Sequence, residues 1–67
     1  MLKKSCKITL KKHRTRVEIT DVDGWLYDLR YYTGNKETYY SQIIKKDVPD
    51  RISLLQREGF VILQKQN

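Results

Sequence analysis

Seven cationic side chains and no anionic one lie within the first sixteen residues of this chain. They are Lys3, Lys4, Lys7, Lys11, Lys12, Arg14 and Arg16. Residues 17 to 67 hold the other seven Lys and Arg against all eight Asp and Glu, so the formal net charge of +6 comes from the N-terminal quarter. Such a segregated charge creates a local positive field that attracts polyanions: nucleic acid, an anionic membrane surface or an acidic protein.

The residue types that catalysis or metal binding would need are nearly absent. His13 is the only histidine and Cys6 the only cysteine. Asp21 and Asp23 flank a glycine, where aspartate is favoured for its turn geometry, and two carboxylates fall short of a calcium loop. No Gly-rich phosphate loop or Ser/His/Asp set can be assembled. We therefore expect a protein that is not an enzyme and that uses no metal or cofactor.

The length of 67 residues predicts one small domain, residues 1–67, with an apolar content of 39%. A core of this size supplies only about 3–5 kcal/mol, so we expect a homodimer or a tight complex with a partner. A single cysteine cannot form an intrachain disulfide, which favours a reducing cytoplasm. No segment approaches the roughly 18 apolar residues of a membrane span, so no membrane partner is expected.

Period-two alternation predicts two N-terminal strands, over residues 5–11 and 15–20, joined by the basic turn Lys12-His13-Arg14. The dipeptide Asp23-Gly24 is a strong hairpin signal. A three-residue loop, Val22-Asp23-Gly24, keeps one face apolar. It sets Ile19 opposite Tyr27, Val17 opposite Leu29, Glu18 opposite Asp28 and Arg16 opposite Arg30.

The dipeptide Gly34-Asn35 predicts a second hairpin, because a type II′ turn needs glycine at its first central position. Pairing Thr33 with Lys36 extends the meander by one strand. That register places Leu29 beside Tyr40, Trp25 beside Ile44, Arg30 beside Tyr39 and Leu26 beside Ile43.

Helical periodicity begins at Asp47, with Asp47 or Val48 as the N-cap and Pro49 in the first turn. Val48, Ile52 and Leu55 recur at helical spacing, and Leu54 widens that stripe. Gly59 is expected to end the helix, and residues 60–63 to form a last strand. The fold class is therefore α+β: an antiparallel sheet of four or five strands with one helix, from about Val48 to Glu58, on one face. The alternative is an SH3-like small barrel with a C-terminal helix.

One helix covers one sheet face, which we expect to be the apolar one. That face comprises Cys6, Ile8, Leu10, Val17, Ile19, Trp25, Tyr27, Leu29, Tyr31, Tyr40 and Ile44. The opposite face then presents Lys7, Lys11, Arg16, Arg30, Tyr32 and Tyr39, with Leu26 and Ile43 near one end. Cations neutralise phosphates, and tyrosine rings give bases a stacking surface.

These features predict a small basic nucleic-acid-binding protein, for DNA or RNA. The expected contact residues are Lys7, Lys11, Lys12, Arg14, Arg16, Arg30, Tyr32 and Tyr39, whereas Lys36 is expected to lie outside the set. The alternative is a protein-interaction module, a regulator or inhibitor that binds an acidic partner surface or adds an edge strand to a partner's sheet.

The segment Lys46-Asp47-Val48-Pro49-Asp50, where a hairpin leads into the final helix, resembles the corresponding turn of the small basic archaeal chromatin proteins. This resemblance covers about a quarter of the chain. The apolar run from Phe60 to Leu63 departs from that family, so no residue role is carried over from it.

Overall fold

The computed structural model describes residues 7 to 66, with side chains as far as residue 63. Five strands and one α-helix follow each other in the predicted order β-β-β-β-α-β. The strands are β1 Lys7–Lys12, β2 Thr15–Asp21, β3 Leu26–Thr33, β4 Lys36–Ile44 and β5 Val61–Gln66; a 3-10 turn, Lys45–Asp47, leads from β4 into helix α1, Val48–Arg57.

The sheet is antiparallel and open, with the strand order β4-β3-β2-β1-β5. Strands β1 to β4 form a meander, and β5 returns to pair with the free side of β1. Within residues 7–66, β4 and β5 are therefore the two edges. This confirms the α+β fold with one helix, and the SH3-like barrel is wrong because the sheet does not close.

The basic turn between β1 and β2 is a two-residue loop, since Lys12 pairs with Thr15. His13 takes the positive φ of 54°, the conformation that glycine adopts most easily. A positive φ at the first central residue gives the hairpin the twist of its strands. The short loop leaves His13 and Arg14 exposed at the end of the sheet.

The β2–β3 register differs from the prediction by two residues. Ile19 lies opposite Leu29, not Tyr27, and the loop is Asp23-Gly24-Trp25, closed by a hydrogen bond from Val22 N to Leu26 O of 3.0 Å. The predicted register put like charges opposite each other, whereas the observed one places Glu18 opposite Arg30. A shift of two preserves the faces but moves Trp25 out of the strand, where 66% of its surface is exposed.

The β3–β4 hairpin begins as predicted, with Thr33 opposite Lys36 and Gly34 at φ 62°. An irregularity between Tyr31 and Tyr32 then shifts the register by one, so that Tyr31 faces Tyr39. Because side chains alternate between faces, this bulge inverts the rest of β4. Tyr40 and Ile44 were predicted on the apolar face and Tyr39 and Ile43 on the other; all four lie on the opposite side from that prediction.

Helix α1 follows its predicted boundaries to within a residue and packs on one face of the sheet. Gly59, at φ 106°, ends it: Gly59 N donates to Gln56 O, and Phe60 N donates to Leu55 O, both at 3.0 Å. In the part of the chain that is described, no helix is long and apolar enough to span a membrane.

The core lies between α1 and the face of the sheet that we call the inner face. It consists of Ile8, Leu10, Val17, Ile19, Tyr27, Leu29, Val48, Leu55 and Phe60, with Tyr31, Ile43 and Ile52 packed against it. Trp25, Tyr40 and Ile44 were wrongly predicted to belong to it. Cys6 lies outside the described residues.

Two adjacent leucines of α1 provide a matched test of this packing. Leu55 is buried against the sheet, whereas Leu54, predicted to widen the apolar stripe, is exposed. Leu55→Ala should lower the free energy of unfolding by about 2–5 kcal/mol, since it leaves a cavity in a small core. Leu54→Ala should change it by less than about 0.5 kcal/mol. Urea denaturation of both variants measures the difference; equal losses would contradict the assigned helix face.

Candidate nucleic-acid interface

The face of the sheet opposite α1, which we call the outer face, carries five of the eight predicted contact residues. On β1, Ile8 and Leu10 point into the core, so the alternation places their neighbours outward. The same argument holds for β2 and β3, whose buried residues alternate with exposed or half-buried ones. The five are Lys7, Lys11, Arg16, Arg30 and Tyr32.

Glu18 lies at the centre of the cations on β1 and β2. Its carboxylate is 3.6 Å from Lys7 Nζ and 3.0 Å from Arg16 Nε. The Arg16 Nε–H is not aligned on that oxygen, so this contact is an ion pair without a hydrogen bond. Two of the predicted phosphate-binding cations therefore share one anion of the same sheet.

Arg30 has two carboxylates of its own. Its guanidinium donates to Glu37 Oε1 at 3.0 Å and lies 3.7 Å from Asp28 Oδ2. Asp28 in turn accepts from Tyr40 Oη at 3.0 Å and from Gln42 Nε2 at 3.1 Å. The hydrogen bond from Tyr40, followed by desolvation and by the charge of Asp28, raises the pKa of the Tyr40 hydroxyl above its ordinary value near 10.

Two arginines stack on two tyrosines across this face. The Arg16 guanidinium lies 4.5 Å from the centre of the Tyr32 ring, and that of Arg30 lies 4.5 Å from the centre of the Tyr40 ring. Both contacts are within the cation–π range. One side of each ring is therefore covered by a guanidinium and is closed to a base while that arginine stays in place.

Lys12 contacts the chain itself. Its Nζ donates to Glu58 O at 2.6 Å and lies 6.0 Å from the centre of the Phe60 ring. A cation at the C-terminus of a helix is favourable for the unsatisfied carbonyls there. The structure thus gives Lys12, a predicted phosphate contact, a role in capping α1.

The two hairpin turns lie side by side at one end of the sheet. Gly34 N donates to Arg14 O at 3.1 Å, which joins the β3–β4 turn to the β1–β2 turn. Lys11, Arg14 and Lys36 are exposed there, and no carboxylate of the described side chains forms an ion pair with them. We call Lys11, His13, Arg14 and Lys36 the basic end.

Sequence reasoning did not place Lys36, which was expected to lie outside the contact set, at the same end of the sheet as Arg14. The signal existed in the two short turns, since neighbouring hairpins of a meander bring alternate turns to the same end of the sheet. Tyr39 was predicted to lie on the outer face, and this is wrong. Its ring packs edge-on against Tyr31 on the inner face, with 5.4 Å between ring centres. Lys3 and Lys4 lie outside the described residues.

Among residues 7–63, no three His, Cys, Asp or Glu side chains form a group that could hold a metal ion. Asp21 and Asp23 instead organise their own loop. Asp21 accepts from Gly24 N, and Asp23 Oδ1 accepts from the backbone N of Trp25 and of Leu26 at 3.0 Å each.

Comparison with known proteins gives no further evidence on this site. No protein-family model, no curated protein and no solved structure matches this chain.

The Asp28–Tyr40 contact predicts a pH effect. Asp28→Asn should return the pKa of Tyr40 toward its ordinary value, because the negative charge beside the phenol is removed. A raised pKa means that the fold favours the neutral phenol. Its stabilising contribution is thus complete below the pKa of the unfolded chain and is lost as the pH rises through the folded pKa.

Tyrosine-specific NMR titration measures this shift, and Tyr40→Phe identifies the resonance. Asp50→Asn, which removes the same charge from the exposed first turn of α1, should leave the Tyr40 titration unchanged. An unchanged pKa in Asp28→Asn would show that the charge of Asp28 does not act on Tyr40.

Proposed function

We propose that this protein binds nucleic acid, with the basic end as its main phosphate contact. The observation that carries the proposal is the pair of adjacent turns that exposes Lys11, Arg14 and Lys36 without a paired carboxylate. An unpaired exposed cation can neutralise a phosphate and release a counterion without first breaking an internal ion pair. The net charge of +6 adds a long-range attraction for the same ligand.

The outer face contributes less than its composition suggests. Among its described side chains, the cations Lys7, Lys11, Arg16 and Arg30 are opposed by Glu18, Asp28 and Glu37, so only one charge is unbalanced. A phosphate that replaced one of these carboxylates would leave it unpaired beside the ligand. Binding through the basic end is therefore electrostatic and independent of base sequence.

The salt dependence of the binding constant provides a quantitative test of this proposal. About three phosphate contacts should give a slope of about −2.7 in log K against log salt, or roughly a 40-fold loss between 50 and 200 mM salt. Substituting Lys11, Arg14 and Lys36 together by Gln should flatten the slope by about one unit per residue. Fluorescence anisotropy of a labelled duplex at several salt concentrations measures both.

The matched control is Arg51→Gln against Arg14→Gln, because both remove one positive charge. Arg51 lies on α1, on the other side of the sheet from the outer face. Arg14→Gln should weaken binding more than Arg51→Gln. Equal effects would mean that only the net charge matters, and no binding by the parent at about 50 mM salt would refute the nucleic-acid proposal.

A second candidate function, association with another protein chain, is favoured by the edge strand β5. Val61, Ile62 and Leu63 are consecutive, apolar and exposed, and 58% of the Leu63 surface is in solvent. An exposed apolar edge strand is a template for pairing with another strand. The occupant we propose is β5 of a second copy, since antiparallel self-pairing places the same apolar residues against each other.

Leu63→Lys should convert such a dimer into monomers, because it places a charge in the shared apolar strip. Leu54→Lys, at another exposed leucine, should leave the dimer intact. Light scattering after size exclusion, over a range of micromolar concentrations, distinguishes the two. A parent protein that stays monomeric throughout would refute self-pairing.

A further inference from the structure

The end of the outer face opposite the basic end carries an apolar groove of about 410 Å³. Trp25, Ile44, Lys45 and Lys46 line it. Trp25 comes from the β2–β3 loop, Ile44 ends β4, and the two lysines begin the 3-10 turn. The groove is therefore lined by apolar atoms, from an indole ring, an isoleucine and the apolar parts of two exposed lysines.

The backbone that carries the indole is held on both sides. Asp23 accepts from Trp25 N at 3.0 Å, and Lys45 N donates to Trp25 O at 2.9 Å. A large apolar ring that is 66% exposed on a held loop gains little from the fold itself. Such a ring offers a flat ligand an exposed stacking surface.

We propose that this groove holds one unpaired nucleobase stacked on Trp25, with its phosphates on Lys45 and Lys46, so that the protein prefers single-stranded nucleic acid. Stacking of a base on an aromatic side chain does not depend on the base sequence, and duplex bases are not available for it. The two lysines supply the charge complementarity to a nucleotide that a purely apolar ligand would not need. This inference rests on the proposed nucleic-acid function and adds the substrate class.

The geometry of the outer face connects the groove with the basic end. The eight residues of β3 span about 26 Å at the rise of a strand, so a short single strand can reach from one end of the outer face to the other. Arg30 and Tyr40 lie along this path, and Asp28 between them is paired with Arg30 and accepts hydrogen bonds from Tyr40 and Gln42. A single strand can thus follow the face without meeting an unpaired carboxylate there.

Trp25 is the only tryptophan of the chain, so tryptophan fluorescence, excited selectively over that of the five tyrosines, reports on this groove alone. A ten-nucleotide oligothymidylate should quench the emission as it binds, whereas a blunt duplex should bind with little quenching. Trp25→Ala should weaken oligothymidylate binding by about 5- to 150-fold, as measured by anisotropy of a labelled strand. Its affinity for the duplex should stay within about twofold.

Tyr39→Ala, which removes an exposed ring from the inner face, is the control and should leave single-strand affinity unchanged. Trp25→Phe should retain most of the affinity, because it keeps a stacking surface. Far-UV circular dichroism checks that each variant is folded.

The outcomes separate this inference from the function on which it rests. Tight single-strand binding without quenching, and with no loss in Trp25→Ala, overturns the stacking groove and leaves the basic end as the binding surface. Failure of the parent to bind either nucleic acid at low salt overturns the proposed function itself. Quenching by anionic lipid vesicles and not by oligothymidylate overturns the inference and assigns the groove to a lipid surface.

Discussion

One helix of ten residues has to bury the apolar side of a five-stranded sheet, and the other features follow from that constraint. Helix α1 covers a single face, so the opposite face has to be stable in water. It is stabilised by neighbours within the face: Glu18 with Lys7 and Arg16, and Asp28 with Arg30. Ion pairs of this exposed kind contribute little each, typically below about 1 kcal/mol, but they occupy the cations.

The distribution of free charge follows from this pairing. Seven cations in the first sixteen residues suggest a uniformly basic surface. In the fold, the meander brings Glu18, Asp28 and Glu37 among the cations in the middle of the sheet. Unbalanced positive charge remains at the turns, where the described side chains form no cross-strand ion pairs. Residues at the ends of strands are thus available for a ligand, whereas those in the middle are committed to the sheet.

The elements themselves could be predicted from the sequence because local signals determine them. Period-two alternation, Gly34 in a tight turn and Gly59 after an apolar helical stripe each act within a few residues. The register of β2 on β3 was wrong by two residues because the three-residue loop was placed one residue too early, on apolar matching alone. Glu18 opposite Arg30 is the cross-strand pair that distinguishes the correct register.

The candidate site was harder to predict because it depends on which face of the sheet each side chain of β4 lies on. A bulge between Tyr31 and Tyr32 exchanges the faces of Tyr39 and Tyr40 relative to a regular hairpin. No local residue pattern indicates this bulge. The exchange has a physical benefit: Tyr40 reaches Asp28 and Arg30, while Tyr39 packs on Tyr31. The same bulge places Ile44 on the outer face, where it lines the groove with Trp25. A single extra residue in an edge strand therefore creates both the arginine–tyrosine stack in the middle of the outer face and the apolar groove at its end.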